Sequence, residues 1–230
     1  MDCTRILDAL RRDATWLAAQ ILVFEKLYAD DPATVALLNE TAGNTFRVIE
    51  DSLFESIVLA IARLLDPAKT ASQKNLTLQA LIDCLRANGQ QQLAKSLDSD
   101  LKTLKQAAAS LRKHRNKRLA HTDCAIKEGA SQLPALTMGI VRDAAAQVHK
   151  LLNRVESALS KSSTAFDYTT LTHGGPGSLI RRLAEAKAYR VEVDDWYLLG
   201  NPERDRIRAL RQDLSEPAPD EQAEDRPEDD

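Results

Sequence analysis

Apolar residues recur at three- and four-residue spacings over most of the first 160 residues, and this period constrains the fold more than any other feature. The spacing is that of one buried face of an α-helix. Aromatic residues make up only 4% of the chain, which disfavours a sheet and favours helices packed on helices. We therefore predict an all-α fold, an antiparallel helical bundle of about five helices.

Breaks in the period set the expected helix ends, which are Asp30-Asp31-Pro32, Asp66-Pro67 and Asn88-Gly89. A kink is expected near Thr41–Asn44, because the second helix would otherwise exceed thirty residues. The fourth helix carries a near-heptad apolar seam, which can face a neighbouring helix or a second copy of the chain. The five helices are expected at about residues 3–29, 33–65, 76–87, 91–111 and 135–160.

The helical pattern breaks after residue 160. We predict a bundle over residues 1–160 and a small appendage over 161–212. The appendage would hold a helix near 179–187, an extended piece at 189–199 and a last helix from Pro202. Residues 213–230 contain nine acidic residues and one arginine, a net charge of −8, which predicts a disordered acidic tail. The rest of the chain is mildly basic, with 30 basic and 25 acidic side chains.

Other sequence features exclude several classes of protein. The cysteines Cys3, Cys84 and Cys124 lie far apart without a Cys-x-x-Cys pair, which argues against a disulfide framework and against a zinc site. No apolar run is long enough to span a membrane and no signal peptide is visible, so we expect a cytoplasmic protein. Rossmann and P-loop glycine motifs are missing, and we expect neither a metal nor a cofactor.

The residues with the most chemical potential lie between positions 111 and 123. The segment Leu111-Arg-Lys-His-Arg-Asn-Lys-Arg118 contains five Lys or Arg residues in eight, and His121 follows. Within it, Arg115-Asn-Lys-Arg-Leu-Ala-His121 resembles the signature of the HEPN superfamily (higher eukaryote and prokaryote nucleotide-binding): an Arg, a neighbouring polar residue, and a His after four to six residues.

The resemblance extends beyond this motif to the AbiU-like branch of abortive-infection HEPN proteins. It covers residues 10 to 160 in order and spacing, and it includes the motif's continuation to Asp123. Its other markers are Trp16, Ile61-Ala-Arg-Leu-Leu-Asp66-Pro67 and Asn75-Leu-Thr-Leu78.

This resemblance implies a symmetric helical dimer whose two motifs meet in one cleft, and metal-independent cleavage of RNA in active members. A neutral imidazole can take the proton of a ribose 2′-hydroxyl, so His121 would be the acid/base group. Arg115 would hold the phosphate and Asn116 would orient it or His121. On a regular helix, the side chains of Arg115 and His121 lie about 120° apart around the helix axis, so they would not point at the same phosphate. Either the helix distorts near Leu119, or a second subunit completes the site.

Less specific readings apply to the neighbouring residues. Lys113, Lys117 and Arg118 are expected to support RNA binding as a solvated basic face, and Asp123 either holds His121 or caps the turn after the helix. Trp16 is expected to serve packing, and Arg63 and Asp66 to form a local ion pair.

Two functions follow from this sequence. The first is a HEPN-type endoribonuclease of phage defence or a toxin, with RNA as substrate and an antitoxin or another protein as a possible partner. The alternative is a non-catalytic helical dimer that binds RNA, a nucleotide or a protein partner through the same basic cleft.

Overall fold

The computed structural model describes residues 2–116, 134, 136–166, 171 and 174–198, with 191–198 described by their backbone alone. These residues form seven α-helices, a π-helical turn and one small hairpin, which confirms the predicted all-α helical bundle. The elements are α1 (Cys3–Phe24), the π-helical turn (Glu25–Ala29), α2 (Pro32–Leu64), β1 (Lys69–Thr70), β2 (Gln73–Lys74), α3 (Leu78–Ala87), α4 (Gln91–Ala107), α5 (Ala109–His114), α6 (Met138–Ser160) and α7 (Pro176–Leu198).

Helix α1 is the central element of the bundle, because it packs against α2, α3 and α6. Its residues Leu10, Ala14 and Leu17 have no exposed area, in keeping with the three- and four-residue spacing of the sequence. Helix α4 packs against α3 and α6 and buries its apolar seam in the same core, including Leu97 and Leu101. The seam is therefore filled by neighbouring helices of the same chain.

The predicted helix ends and the kink are confirmed where local chemistry determines them. Asp31 caps α2, since its carboxylate accepts hydrogen bonds from the backbone N–H groups of Ala33 (3.0 Å) and Thr34 (3.2 Å). The kink in α2 falls at Ala42, where φ is −160° and ψ is 62°. Gly89 follows α3 with a φ of +83°, a conformation that glycine adopts without strain.

Three elements differ from the prediction. The polar loop after α2 contains the antiparallel hairpin of β1 and β2. The fourth helix is interrupted at Ala108, where ψ is 14°, and this residue separates α4 from α5. The extended piece expected at 189–199 is helical up to Leu198 as part of α7. No Gly or Pro interrupts the chain between 178 and 199, and β-branched residues disfavour a helix only weakly.

The sequence argued against disulfides, and this prediction was wrong for two of the three cysteines. Cys3 and Cys84 form a disulfide, with their Cα atoms 5.7 Å apart. This distance is within the usual range for a disulfide. It arises because α1 and α3 pack side by side, and sequence spacing carries no information on such a long-range contact. Cys124 lies outside the described residues.

The chain divides into two compact units, Met1–Arg181 and Arg182–Asp230. The first holds the bundle, and the second is described only as the continuation of α7. The helix expected from Pro202 and the acidic tail at 213–230 lie outside the described residues. Across the ranges that the structure describes, no helix combines the length and the apolar character needed to cross a membrane.

Candidate functional site

Helices α4 and α5 deliver Arg115 to the end of α2. Leu104, Ala108 and Leu111 have no exposed area, so the core fixes both helices on either side of the break between them. Helix α5 packs against α2, and Arg115 follows α5 with helical backbone angles (φ −54°, ψ −50°). The backbone of the motif's first residue is therefore anchored by the core.

Arg115 forms an ion pair with Asp66, two residues beyond the end of α2, through one of its terminal nitrogens. The side chains are 26% and 24% exposed, so both are largely shielded from water and both retain access to it. We expected Asp66 to form an ion pair with Arg63, but its carboxylate binds Arg115 instead. Packing of α5 on α2 brings together two residues that are 49 positions apart in sequence.

The loop after Asp66 is closed by Asn75. Its side-chain Nδ2 donates to the carbonyl oxygen of Pro67 (3.0 Å) and to Thr70 Oγ1 (2.7 Å), and its backbone N–H donates to Ala68 (2.9 Å). These bonds hold the first residues of the loop to its last. Asp66 thus lies between a helix end and a closed loop, which limits the positions its carboxylate can take.

His114 faces a different environment from Arg115. Its Nε2 donates to the carbonyl oxygen of Pro134 (2.7 Å). It also lines a cavity of about 380 Å³ whose wall includes the carboxylates Glu50, Asp51 and Glu55. In the ranges covered by the structure, no group of His, Cys, Asp and Glu side chains is placed to hold a metal ion. The acidic wall would repel a phosphate, so this side of α5 does not suit a nucleic acid.

The remaining predicted site residues are only partly within the described ranges. Lys113 and Asn116 are exposed. The expectations for His121 and for the supporting residues Lys117, Arg118 and Asp123 lie outside the described residues. The structure therefore brings together Arg115 and Asp66, and Asn116 follows Arg115 as an exposed residue.

The contact of Asp66 with Arg115 was not predicted from the sequence, which suggested Arg63 as the partner of Asp66. The available signal was its position in the segment Ile61–Pro67, one of the stretches that carry the family resemblance. A carboxylate at a helix end is common, however, and only packing shows which cation it meets.

Comparison with known families decides the identity of this bundle. The AbiU2 family model of HEPN proteins matches residues 2–173, three quarters of the chain, and this match includes both Asp66 and Arg115. The chain belongs to the AbiU2 HEPN family. Residues 2–173 therefore form an abortive-infection HEPN domain. The match confirms the resemblance drawn from the sequence. A search of the curated proteins and one of the solved structures found no match.

Proposed function

We propose that this AbiU2 protein is a metal-independent endoribonuclease that acts in phage defence or as a toxin. The observation that carries the proposal is the ion pair of Arg115 with Asp66 at the anchored start of the motif. A guanidinium has five N–H donors in a planar fork, and the carboxylate contact runs through one nitrogen. An arginine oriented in this way loses little conformational freedom when it binds a phosphate.

The proposed reaction begins at a ribose 2′-hydroxyl. His121 in its neutral form takes the hydroxyl proton, and the 2′-oxygen attacks the adjacent phosphorus. Arg115 stabilises the negative charge that develops on the phosphate oxygens, and Asn116 orients the phosphate or the imidazole. The bond from phosphorus to the 5′-oxygen then breaks, and the leaving oxygen takes up a proton from the protonated His121 or from water. The products are a 2′,3′-cyclic phosphate and a strand with a 5′-hydroxyl.

The test is an incubation of labelled RNA with purified protein in EDTA, with the fragment ends analysed. We expect wild type to leave cyclic phosphates, His121→Ala to leave the RNA intact, and DNA of the same sequence to resist because it lacks the 2′-hydroxyl. His173→Ala is the matched control, a histidine outside the motif that should cut as wild type does. Undiminished cutting by His121→Ala would refute the proposal.

The Arg115–Asp66 pair also supports the alternative function. An arginine already bound by a carboxylate suits a non-catalytic helical dimer that binds RNA, a nucleotide or a protein partner. This alternative predicts that wild type retains RNA in a salt-sensitive way and forms no product. The same incubation separates the two functions, since retention without fragments in wild type supports only the alternative.

A further inference from the structure

A second cavity lies on the side of α5 away from the acidic wall. Arg112 lines it, whereas His114 lines the acidic cavity, and two residues turn a helix by about 200°. The second cavity has a volume of about 480 Å³. Its charged lining consists of Lys102, Lys105 and Arg112 with a single carboxylate, Asp98.

The one carboxylate in this cavity is already engaged. Asp98 forms an ion pair with Arg86 and accepts a hydrogen bond from Gln79 Nε2 (3.2 Å). Arg86 also binds Asp83 (2.7 Å), so these four residues form a connected network on α3 and α4. The network satisfies Asp98 and leaves the three cations of the cavity with a net positive charge.

Lys105 and Arg112 line the same cavity, and the positive charge of Arg112 acts on Lys105. Both are half-buried, and neither forms an ion pair within the ranges that the structure describes. The Arg112 Nε is buried and lacks a hydrogen-bond partner in the same ranges. Burial and the neighbouring charge of Arg112 lower the pKa of Lys105, and this effect outweighs the opposite effect of the carboxylates Asp98, Asp66 and Asp83. A bound anion would relieve this repulsion and accept hydrogen bonds from the two cations.

The position of the cavity indicates which anion it takes. Lys105 and Arg112 lie on the two helices that lead to Arg115. Lys105 precedes Arg115 by ten residues across the break at Ala108, and at the rise of a helix this corresponds to about 15 Å. An extended polyanion reaches both points, whereas a free phosphate occupies the cavity alone. We propose that Lys102, Lys105 and Arg112 bind one backbone phosphate of the RNA strand while Arg115 holds another phosphate of the same strand, further along the chain. This inference rests on the proposed function.

The test measures binding apart from cutting, by anisotropy of a labelled single-stranded RNA that carries 2′-O-methyl groups. The full chain is titrated at several salt concentrations as wild type, Lys105→Gln and the double variant Lys102→Gln/Lys105→Gln. We expect the double variant to bind about tenfold more weakly, and its logarithmic salt slope to be shallower by about 0.7, the value for one lost phosphate contact. Lys150→Gln, an exposed lysine on α6, is the matched control and should leave the slope unchanged.

Thermal unfolding provides a second readout. A purely structural Lys105 would lower the melting temperature when replaced, whereas removal of a desolvated cation beside another cation should leave it unchanged or raise it. Lys102→Gln alone, at an exposed position, keeps the test valid even where Lys105→Gln folds poorly. A melting temperature that falls in Lys105→Gln while Lys102→Gln binds as wild type would contradict the proposal.

Two further outcomes would overturn the assignment to RNA. One is a double variant that matches Lys150→Gln in affinity and slope. The other is protection of wild type against thermal unfolding by inorganic phosphate with no loss of RNA affinity in the double variant, which would identify a free-phosphate site. A wild type that binds the methylated RNA through these lysines but cuts no RNA would disprove only the ribonuclease proposal.

Discussion

Asp66 forms an ion pair with the Arg115 guanidinium. The contribution of this pair can be measured with a substitution that keeps the size and shape of the Asp66 side chain. Asp66→Asn removes the charge from the pair, so we expect RNA cutting to fall about tenfold to a hundredfold because the guanidinium is no longer held in place. Stability should fall by only about 1 kcal/mol, since the pair is partly solvated. Cleavage rates and thermal melts of the same samples report both quantities.

The matched control for this change is Asp100→Asn. Asp100 forms an ion pair with Arg154 on α6, away from the motif. We expect it to leave the cutting rate unchanged. Equal loss of cutting in both variants would show that the effect of Asp66 is a general loss of charge pairing.

Trp16 and Leu17 are neighbours in sequence with opposite environments. Trp16 was expected to serve packing, but it is 65% exposed, whereas Leu17 has no exposed area. Trp16→Ala should therefore lower the free energy of unfolding by less than about 1 kcal/mol, and Leu17→Ala should lower it by about 2 to 5 kcal/mol. Urea denaturation measures both, and a larger loss for Trp16→Ala would contradict the structure.

At the scale of elements, α2 depends on the charge of its cap. Hydrogen bonds from the Ala33 backbone and from Thr34 lower the pKa of Asp31 below its ordinary value of 3.8. A carboxyl whose folded pKa is depressed contributes stability above its unfolded pKa, and this contribution is lost as pH falls through the folded pKa. Asp31→Ala should thus lower the melting temperature at pH 7, and this deficit should shrink towards about pH 2 as the acid form takes over.

Asp31→Asn is the control for this element, because asparagine caps a helix without a charge. Its melting temperature relative to Asp31→Ala should stay constant over the same pH range. A constant difference between wild type and Asp31→Asn from pH 7 to pH 2 would refute the assignment of the pH effect to this carboxylate.

The elements were predictable from sequence wherever a local cause sets them. Periodic apolar residues gave α1 and α6, Asp31-Pro32 gave the start of α2, and Gly89 gave the end of α3. The break at Ala108 was missed because no Gly or Pro marks it, and the helical end of α7 was missed because its β-branched residues resemble a strand pattern. Both errors arise where packing or continuation overrides a weak local preference.

At the scale of the whole molecule, the spacing of Arg115 and His121 leaves two alternatives, a helix distorted near Leu119 or a site completed by a second subunit. We propose the second alternative, which the family resemblance implies, and it makes a testable statement about subunits. Arg115→Ala and His121→Ala should each be inactive as pure proteins. Mixed and allowed to exchange subunits, they should regain about a quarter of wild-type cutting, since half of the dimers are mixed and each mixed dimer has one intact site. Native mass spectrometry would confirm the exchange.

A mixture that exchanges subunits and stays inactive would place Arg115 and His121 of one site on the same chain. The control is a mixture of Arg115→Ala with Asp66→Asn. Both changes affect the arginine half of the site, and the mixture should regain no more than the residual activity of its parts.

Long-range contacts were beyond sequence reasoning at this scale. The motif identified Arg115, Asn116 and His121 as candidates, but Asp66 approaches Arg115 only because α5 packs on α2. The pairing of Cys3 with Cys84 likewise depends on the packing of α1 against α3. Both contacts follow from burial of the core, which determines which surfaces meet.

The disulfide has a consequence for how the protein survives damage. It joins residues 81 positions apart, so α1, α2 and the β1–β2 hairpin belong to one covalent ring. The exposed hairpin at Lys69–Lys74 is a natural place for a protease to nick the chain. A single cut there opens the ring but releases no fragment. On a denaturing gel, the nicked protein would migrate as one species until a reductant separates its two pieces.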